Sequence, residues 1–357
     1  MQLLTPIHFP DYELIDCGNF EKLERFGKYI LIRPEPQAVW DKKLSDREWE
    51  KTAHVKFIPK TSSAGVWKKL KEMPDRWNVE YEIGSRQSAV GSIVHGPQST
   101  VNRDAAGDSE VGGDAAKRLT VDRRPSTIRF RLALTSFKHV GIFPEQATNW
   151  DYIYDSIKLL NQNPSPLSEP VPMNIGREGP GVRPLEQPEE KPRIQPKVLN
   201  LFAYTGGASL AAKAAGADVT HLDSIKQVVT WSKENMELSG LKDIRWIVED
   251  ALTFVKREVK RGKKYNGIIL DPPAYGNGAN GEKWKLEDNI NEMMKNVFSL
   301  LDEKCFLILN TYSLGFSSLI IENLLSDIKN VNTGELFLQA TTGCKLPLGV
   351  FGRFRKM

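Results

Sequence analysis

A chain of 357 residues with 40% hydrophobic and 26% charged residues can bury the cores of two domains and has the composition of an ordinary globular protein, not of a disordered or fibrous one. Its 49 basic and 45 acidic residues leave a formal charge of +4, which permits a nucleic-acid partner without arguing for one. Cys17, Cys305 and Cys344 are too scattered for a disulfide framework and show no Cys-x-x-Cys or Cys/His ligand spacing, so a reducing compartment and no metal are expected.

The N-terminus lacks a basic or Arg/Ser-rich leader, and no run approaches about 18 consecutive apolar residues. A cytoplasmic address with no membrane partner is therefore expected. Residues 1–85 mix aromatic and β-branched residues in short runs such as Tyr29-Ile-Leu-Ile-Arg33, and with 128–145 they read as a small β-rich lobe. Between them, 86–127 turns Ser-, Gly- and Asp-rich, which marks a disordered insertion. The alternation of 128–134 predicts a half-buried strand. Trp150, Ile153, Tyr154 and Ile157 then lie at helical spacing, which predicts a connecting helix within 146–162. The stretch 163–196 carries nine prolines and few large apolar residues, and reads as a stiff linker or insertion.

From 197 onward, short apolar runs at 198–202, 219–222, 244–248, 267–270 and 306–309 alternate with amphipathic segments near 207–215, 226–238, 251–260 and 288–301. That rhythm predicts an α/β fold, a Rossmann-like, doubly wound, mostly parallel sheet carrying the smaller β-rich N-terminal lobe. Ligands in such a sheet bind beyond the carboxyl ends of the strands. The residues there are Phe202-Ala-Tyr204-Thr205-Gly206-Gly207 after the first strand, Asp223 after the second, Asp250 after the third and Asp271-Pro272-Pro273-Ala-Tyr275 after the fourth. A glycine turn lets a ligand approach the backbone, and the spacing is not the Gly-x-Gly-x-x-Gly of a dinucleotide reader, which disfavours a nicotinamide oxidoreductase. Asp223 is placed to accept from ribose hydroxyls and Asp250 from an adenine amine, although either acid taken alone could be only a helix cap. Two prolines remove amide donors, so Asp271 and the carbonyls after it make an acceptor-rich rim, with Tyr275 as a flat ring for stacking.

In this order the motifs resemble a class I S-adenosylmethionine-dependent methyltransferase with a seven-stranded sheet. They are similar in particular to the group of bacterial large-subunit (23S) rRNA methyltransferases that act on guanine or cytosine. The resemblance covers 12–85 and 128–357, including the segment from Ser136 to Gln146 and Gly281-Glu-Lys283-Trp284-Lys-Leu286. It implies S-adenosylmethionine as cofactor, with Gly206 and Gly207 facing its methionyl part, Asp223 on the ribose and Asp250 on the adenine. Asp271 and the 272–274 backbone would orient the nucleophile, and Gln146 would close over the cofactor.

A sulfonium methyl is already activated, so the protein mainly has to align the reactants and exclude water. Acceptors at Asp271 suit an exocyclic amine. Carbon-5 of cytosine would first have to be made nucleophilic by a cysteine, and none follows the fifth strand; Cys305 precedes it. The glycine-rich loop 276–284 reads as a flap, with Lys283 and Trp284 as substrate contacts or Trp284 as an anchor to the core. Six basic residues within 256–264, and Trp40, Lys42, Lys43, Trp67, Lys68, Lys69, Lys71, Arg76 and Trp77, could meet RNA, or could be a helix end and a core. The reading is thus a methyltransferase on a nucleobase nitrogen of ribosomal RNA, guanine before cytosine C5. A protein or small-molecule nitrogen is the alternative, and a non-catalytic RNA-binding factor is the alternative of another class. The oligomeric state is left open.

Overall fold

The computed structural model of the protein describes residues 1–61, 64–84, 126–162, 195–278, 281–313 and 315–357. Nearly all of the expected insertion at 86–127 and of the Pro-rich stretch at 163–196 therefore lies outside the described residues.

The N-terminal half is built from strands, as its short β-branched and aromatic runs predict. After β1 (Gln2–Leu4), the strands β2 (Tyr12–Gly18), β3 (Glu21–Phe26), β4 (Tyr29–Pro34), β5 (Val55–Pro59) and β6 (Gly65–Lys69) form a five-stranded sheet in that order. Because β4 and β5 run parallel, the chain must cross over between them, and α1 (Asp46–Thr52) makes the crossing. It starts on a capping box in which Ser45 and Glu48 each satisfy a backbone amide of the other. A separate antiparallel pair, β7 (Arg76–Ile83) and β8 (Ser126–Ala133), buries every second residue of β7, so Trp77, Val79, Tyr81 and Ile83 enter the core while the intervening polar residues face water.

The second half follows α2 (Ala147–Gln162): β9 (Lys197–Leu201), α3 (Gly207–Ala214), β10 (Asp218–Asp223), α4 (Lys226–Leu238), β11 (Ile244–Val248), α5 (Ala251–Lys260) and β12 (Tyr265–Leu270). A small hairpin of β13 (Tyr275–Asn277) and β14 (Lys283–Lys285) leads into α6 (Leu286–Leu300), β15 (Leu301–Thr311), α7 (Ser318–Leu324), β16 (Asn332–Gln339) and β17 (Lys345–Lys356). The large sheet has the order β1-β16-β17-β15-β12-β9-β10-β11, parallel throughout except for β17. Seven of these strands come from 197–357. The eighth, β1, comes from the N-terminus and pairs with β16, an extension that local pattern could not announce.

Adjacent residues of the central strands feed opposite cores. Val198, Ile269, Phe306 and Ile308 pack toward α2 and α3, whereas Leu199, Ile268, Leu270 and Leu307 pack toward α5, α6 and α7. This is the double winding expected of a sheet buried on both faces. Strand order reverses direction between β9 and β12, which opens a crevice at their carboxyl ends.

The N-terminal lobe is fastened to this sheet through backbone groups that a free strand edge would leave unpaired. On β8, Arg129 N donates to Ser239 Oγ (2.8 Å), Arg131 N donates to Asn235 Oδ1 (2.7 Å), and the Arg131 carbonyl accepts from Trp231 Nε1 (2.7 Å). At the other end, Thr341 N donates to the Leu14 carbonyl (2.9 Å) and Thr342 Oγ1 to Asp16 (2.8 Å). Each such bond contributes on the order of 1 kcal/mol, and together they fix the lobe over the crevice. No helix among the described residues is long and apolar enough to cross a membrane.

Candidate active site

A cavity of about 470 Å³ lies at the switch point, within the size range of small-molecule sites, and a smaller recess of about 60 Å³ shares Phe143, Gln146, Phe202, Tyr204, Asp271 and Asn310 with it. The loop after β9 forms one wall. Phe202 (φ 55°), Tyr204 (φ 49°) and Gly206 (φ 93°) all adopt the left-handed conformation, which costs the two aromatic residues roughly 1–2 kcal/mol each. Such strain persists only where surrounding bonds over-determine the backbone. Here Tyr204 N donates to Asp223 Oδ2 (2.9 Å), Ser232 Oγ to the Tyr204 carbonyl (2.6 Å), Asn235 Nδ2 to the Thr205 carbonyl (2.9 Å) and Thr205 Oγ1 to the Gly141 carbonyl (2.6 Å).

The two glycines do different work. A Cβ on Gly207 would sit 2.8 Å from the Trp150 ring, so glycine lets α3 approach α2, and Gly207 lines the smaller recess with Thr205. Gly206 caps α3 in left-handed geometry and lines neither space. Of the two glycines expected to face a ligand, Gly207 stands at the recess, while the left-handed conformation of Gly206 makes the turn that leads into it.

Asp223, Asp250 and Asp271 all line the large cavity. The Asp223 carboxylate is held by backbone amides, Tyr204 on Oδ2 and Ile225 (3.0 Å) on Oδ1 with Ser224 beside them, and as an ionised acceptor with about four lone-pair sites it keeps capacity for a ligand. Burial raises its pKa. Asp250 caps α5 by accepting from Thr253 N at 2.8 Å, so it is a helix cap and a cavity wall at once. Asp271 accepts from Asn310 Nδ2 (2.8 Å) on Oδ1 and from Gln146 Nε2 (3.3 Å) on Oδ2. Burial pushes its pKa up to about 6 against the opposing pull of the Asn310 bond.

Part of the acceptor rim is already engaged. The Pro273 carbonyl accepts from Trp284 Nε1 (2.7 Å) and the Ala274 carbonyl from Leu286 N (3.0 Å), so each keeps one lone pair, and both residues line the cavity with Asp271 and Pro272. Trp284 is 4% exposed and rests on Phe202 with ring centres 4.8 Å apart, so it anchors the loop and forms the cavity wall. Lys283 is exposed and does not line the cavity, and Tyr275 stands at the rim, 60% exposed. The basic clusters are also largely committed elsewhere. Lys256 pairs with Glu292, Arg257 with Glu249, Arg261 with Glu258, and Lys264 Nζ donates to the Ser299 carbonyl. Trp40 and Trp67 spend their N–H groups on the Cys17 and Thr135 carbonyls, and Trp77 is buried.

The N-terminal lobe closes the far end of the cavity with Lys22, Arg33, Glu35, Lys138, His139 and Glu145. Arg33 and Lys22 pair with Glu24 and Glu35, and Tyr312 Oη donates to Glu35 (2.6 Å). Burial, helped by Arg33 and Lys138, lowers His139 to about 3 and keeps it neutral. Glu145 is raised by burial to about 7, with Lys22 opposing. None of these lobe residues is predictable from local sequence. Asn310 is different, because it ends the fifth strand and the rule that singled out Asp271 applies to it equally.

The family model described as Conserved hypothetical protein 95 matches residues 188–337. The chain is 38% identical over 108 residues to the ribosomal RNA large subunit methyltransferase K/L of Shewanella frigidimarina, and 33% over 117 residues to that of Methylococcus capsulatus. These matches cover 29% and 32% of this chain but only 15% and 16% of those proteins. A solved structure described as a putative S-adenosylmethionine-dependent methyltransferase from Streptococcus mutans shares the fold at 13% identity and a TM-score of 0.57, covering 96% of this chain and 74% of that one. The crystal structure of the S-adenosylmethionine-dependent methyltransferase from Agrobacterium tumefaciens superposes with a TM-score of 0.74 at 30% identity, over 100% of this chain and 94% of that one. With that match from end to end, on a switch-point cavity lined by three strand-end aspartates, the chain belongs to the S-adenosylmethionine-dependent methyltransferases.

Proposed function

We propose that the protein uses S-adenosylmethionine to methylate a nucleobase nitrogen of ribosomal RNA. The observation that carries this is the acceptor pair at the switch point: the Asp271 carboxylate and, beside it, the buried Asn310 Oδ1, which has no hydrogen-bond partner among the described residues. A buried acceptor without a protein partner on a cavity wall is available to a donor that a ligand brings, and an exocyclic amine such as guanine N2 offers two N–H groups.

The donor set fits the cofactor as well. Asp223 has lone pairs for ribose hydroxyls, Asp250 faces the same space for an adenine amine, and the smaller recess beside Gly207 and Thr205 suits the methionyl arm. When bound, S-adenosylmethionine supplies an activated methyl group on sulfonium. What remains for the chain is to hold the acceptor nitrogen in line, point its lone pair at the methyl and exclude water. Above pH about 6 Asp271 is a carboxylate, which takes the amine hydrogens and leaves the lone pair free. Among the described residues no cysteine lines the cavity, which disfavours attack through cytosine C5. The ribosomal substrate rests on the named activity of the Shewanella and Methylococcus relatives.

The test is nucleoside mass spectrometry of ribosomal RNA after incubation with the purified protein and methyl-labelled cofactor. Labelled methylguanosine supports the proposal. Label confined to a protein fraction, or appearing as 5-methylcytidine, refutes the assigned acceptor.

A further inference from the structure

Arg353 on β17 is 9% exposed, yet no carboxylate lies within ion-pair distance of it among the described residues, and its Nε has no partner. Its guanidinium stacks on Tyr152 (4.4 Å) and Phe351 (5.1 Å), and its neighbour on that face is another cation, Arg355, 4.1 Å from the same Tyr152 ring. Aromatic faces offset the desolvation of a buried guanidinium less fully than a carboxylate partner would, so the oxygens it reaches matter. The polar atoms it does reach are the Thr148 carbonyl (3.5 Å) and Asn149 Oδ1 (3.4 Å), both contacted by Nη1.

From Asn149 an unbroken line of side chains leads into the site. Asn149 Nδ2 donates to Gln146 Oε1 (2.8 Å), and Gln146 Nε2 donates to Asp271 Oδ2 (3.3 Å). Direction matters here. A guanidinium carries only donors, so the end of Asn149 that faces it must be the oxygen. That turns the Asn149 amide N–H toward Gln146, which turns the Gln146 N–H toward Asp271. Either amide flipped would place oxygen against oxygen somewhere along the line. We infer that Arg353 is a positioning residue for methyl transfer: through Asn149 and Gln146 it fixes the amide polarity that presents an N–H donor to Asp271, and so holds that carboxylate in place for the acceptor nitrogen. Hydrogen bonds in a chain polarise one another, which strengthens the last bond beyond an isolated amide contact.

The inference rests on the functional reading of Asp271, but its test does not need turnover. The readout is a carbon-13 carboxyl titration of Asp271, assigned by its loss in Asp271→Asn, in the native protein, Arg353→Met, Asn149→Leu and the double variant. Gln146 and Asn310 are bonded to Asp271, and the titratable and charged groups sharing its cavity are Glu145, Lys22, Arg33, Glu35, Lys138, His139, Tyr204, Asp223, Glu249, Asp250, Tyr275 and Tyr312, none of which is altered. Losing an oriented donor moves the midpoint upward by roughly half to one pH unit. Because Asn149→Leu changes no charge, an equal rise there excludes a direct field from Arg353. The double variant should match the larger single effect, as members of one chain do. With labelled cofactor and ribosomal RNA, kcat falls about tenfold in both single variants while KM for the cofactor stays within about twofold, the pattern of a lost transition-state contact. Arg355→Met, which removes the other cation on Tyr152, leaves both readouts unchanged. Midpoints at the native value in both single variants overturn the inference. A native protein that titrates as described but transfers no methyl to RNA refutes the functional reading instead.

Discussion

Asp271→Asn should make the protein more stable above neutral pH while removing its activity. Burial raises the Asp271 pKa from its ordinary 3.8 to about 6, so between those values the native state keeps a proton that the unfolded chain has released. Stability therefore falls as pH rises through this window, and the deficit is complete above about pH 6. The two pKa values give a deficit of about 1 kcal/mol at pH 4.5 and about 3 kcal/mol at pH 8. The asparagine carries no charge and abolishes the deficit. It also sets its own amide against Gln146 Nε2 or Asn310 Nδ2, and losing one such bond costs about 1 kcal/mol. The variant should accordingly be near native stability at pH 4.5 and about 2 kcal/mol above it at pH 8. Glu145, raised to about 7, is present in both proteins and largely cancels. Urea unfolding at the two pH values measures the difference directly. A stability change that is the same at both, or a variant less stable at pH 8, would show that the carboxylate is not held against its desolvation cost and would refute the reasoning.

The other predictions concern the cofactor wall. Asp223→Ala should weaken S-adenosylhomocysteine binding by about 30- to 100-fold in calorimetry, the value of hydrogen bonds to a charged acceptor, and unchanged affinity would remove Asp223 from the cofactor site. Gly207→Val should lower stability by about 1–3 kcal/mol, because its Cβ falls 2.8 Å from Trp150; a variant that unfolds like the native protein would show that α2 yields without cost.

Local pattern revealed most of the catalytic half. The strand expected at 244–248 coincides with the observed Ile244–Val248 although only Ile244 is buried on this edge strand, and Lys226–Leu238 and Ala251–Lys260 match the amphipathic segments read for them. The β15 strand runs longer than its apolar centre, from Leu301 to Thr311, because Leu301 still pairs with Tyr265 ahead of a register shift that spans the polar residues 302–304. The resemblance implies seven strands, but β16 and β17 have no place in the local pattern and the docking of β1 is not implied at all, since antiparallel and edge pairings depend on partners distant in sequence. The same distinction divides the site. Asp223, Asp250 and Asp271 were legible because each ends a strand at the switch point. Trp284 was not settled, because stacking on a base and anchoring a loop need the same residue type, and only the bond to the Pro273 carbonyl separates them. The lobe residues Lys22, Arg33, Lys138 and Glu145 reach the cavity through the tertiary clamp of β8 on α4, which no local signal encodes.

The most direct measurement compares methyl transfer from labelled S-adenosylmethionine to ribosomal RNA by the native protein and by Asp271→Ala, with S-adenosylhomocysteine affinity measured for both. The account predicts that labelled nucleoside disappears in the variant while its affinity stays within about threefold of native, because Asp271 acts on the acceptor and Asp223 on the cofactor. Equal transfer by the two proteins would contradict it.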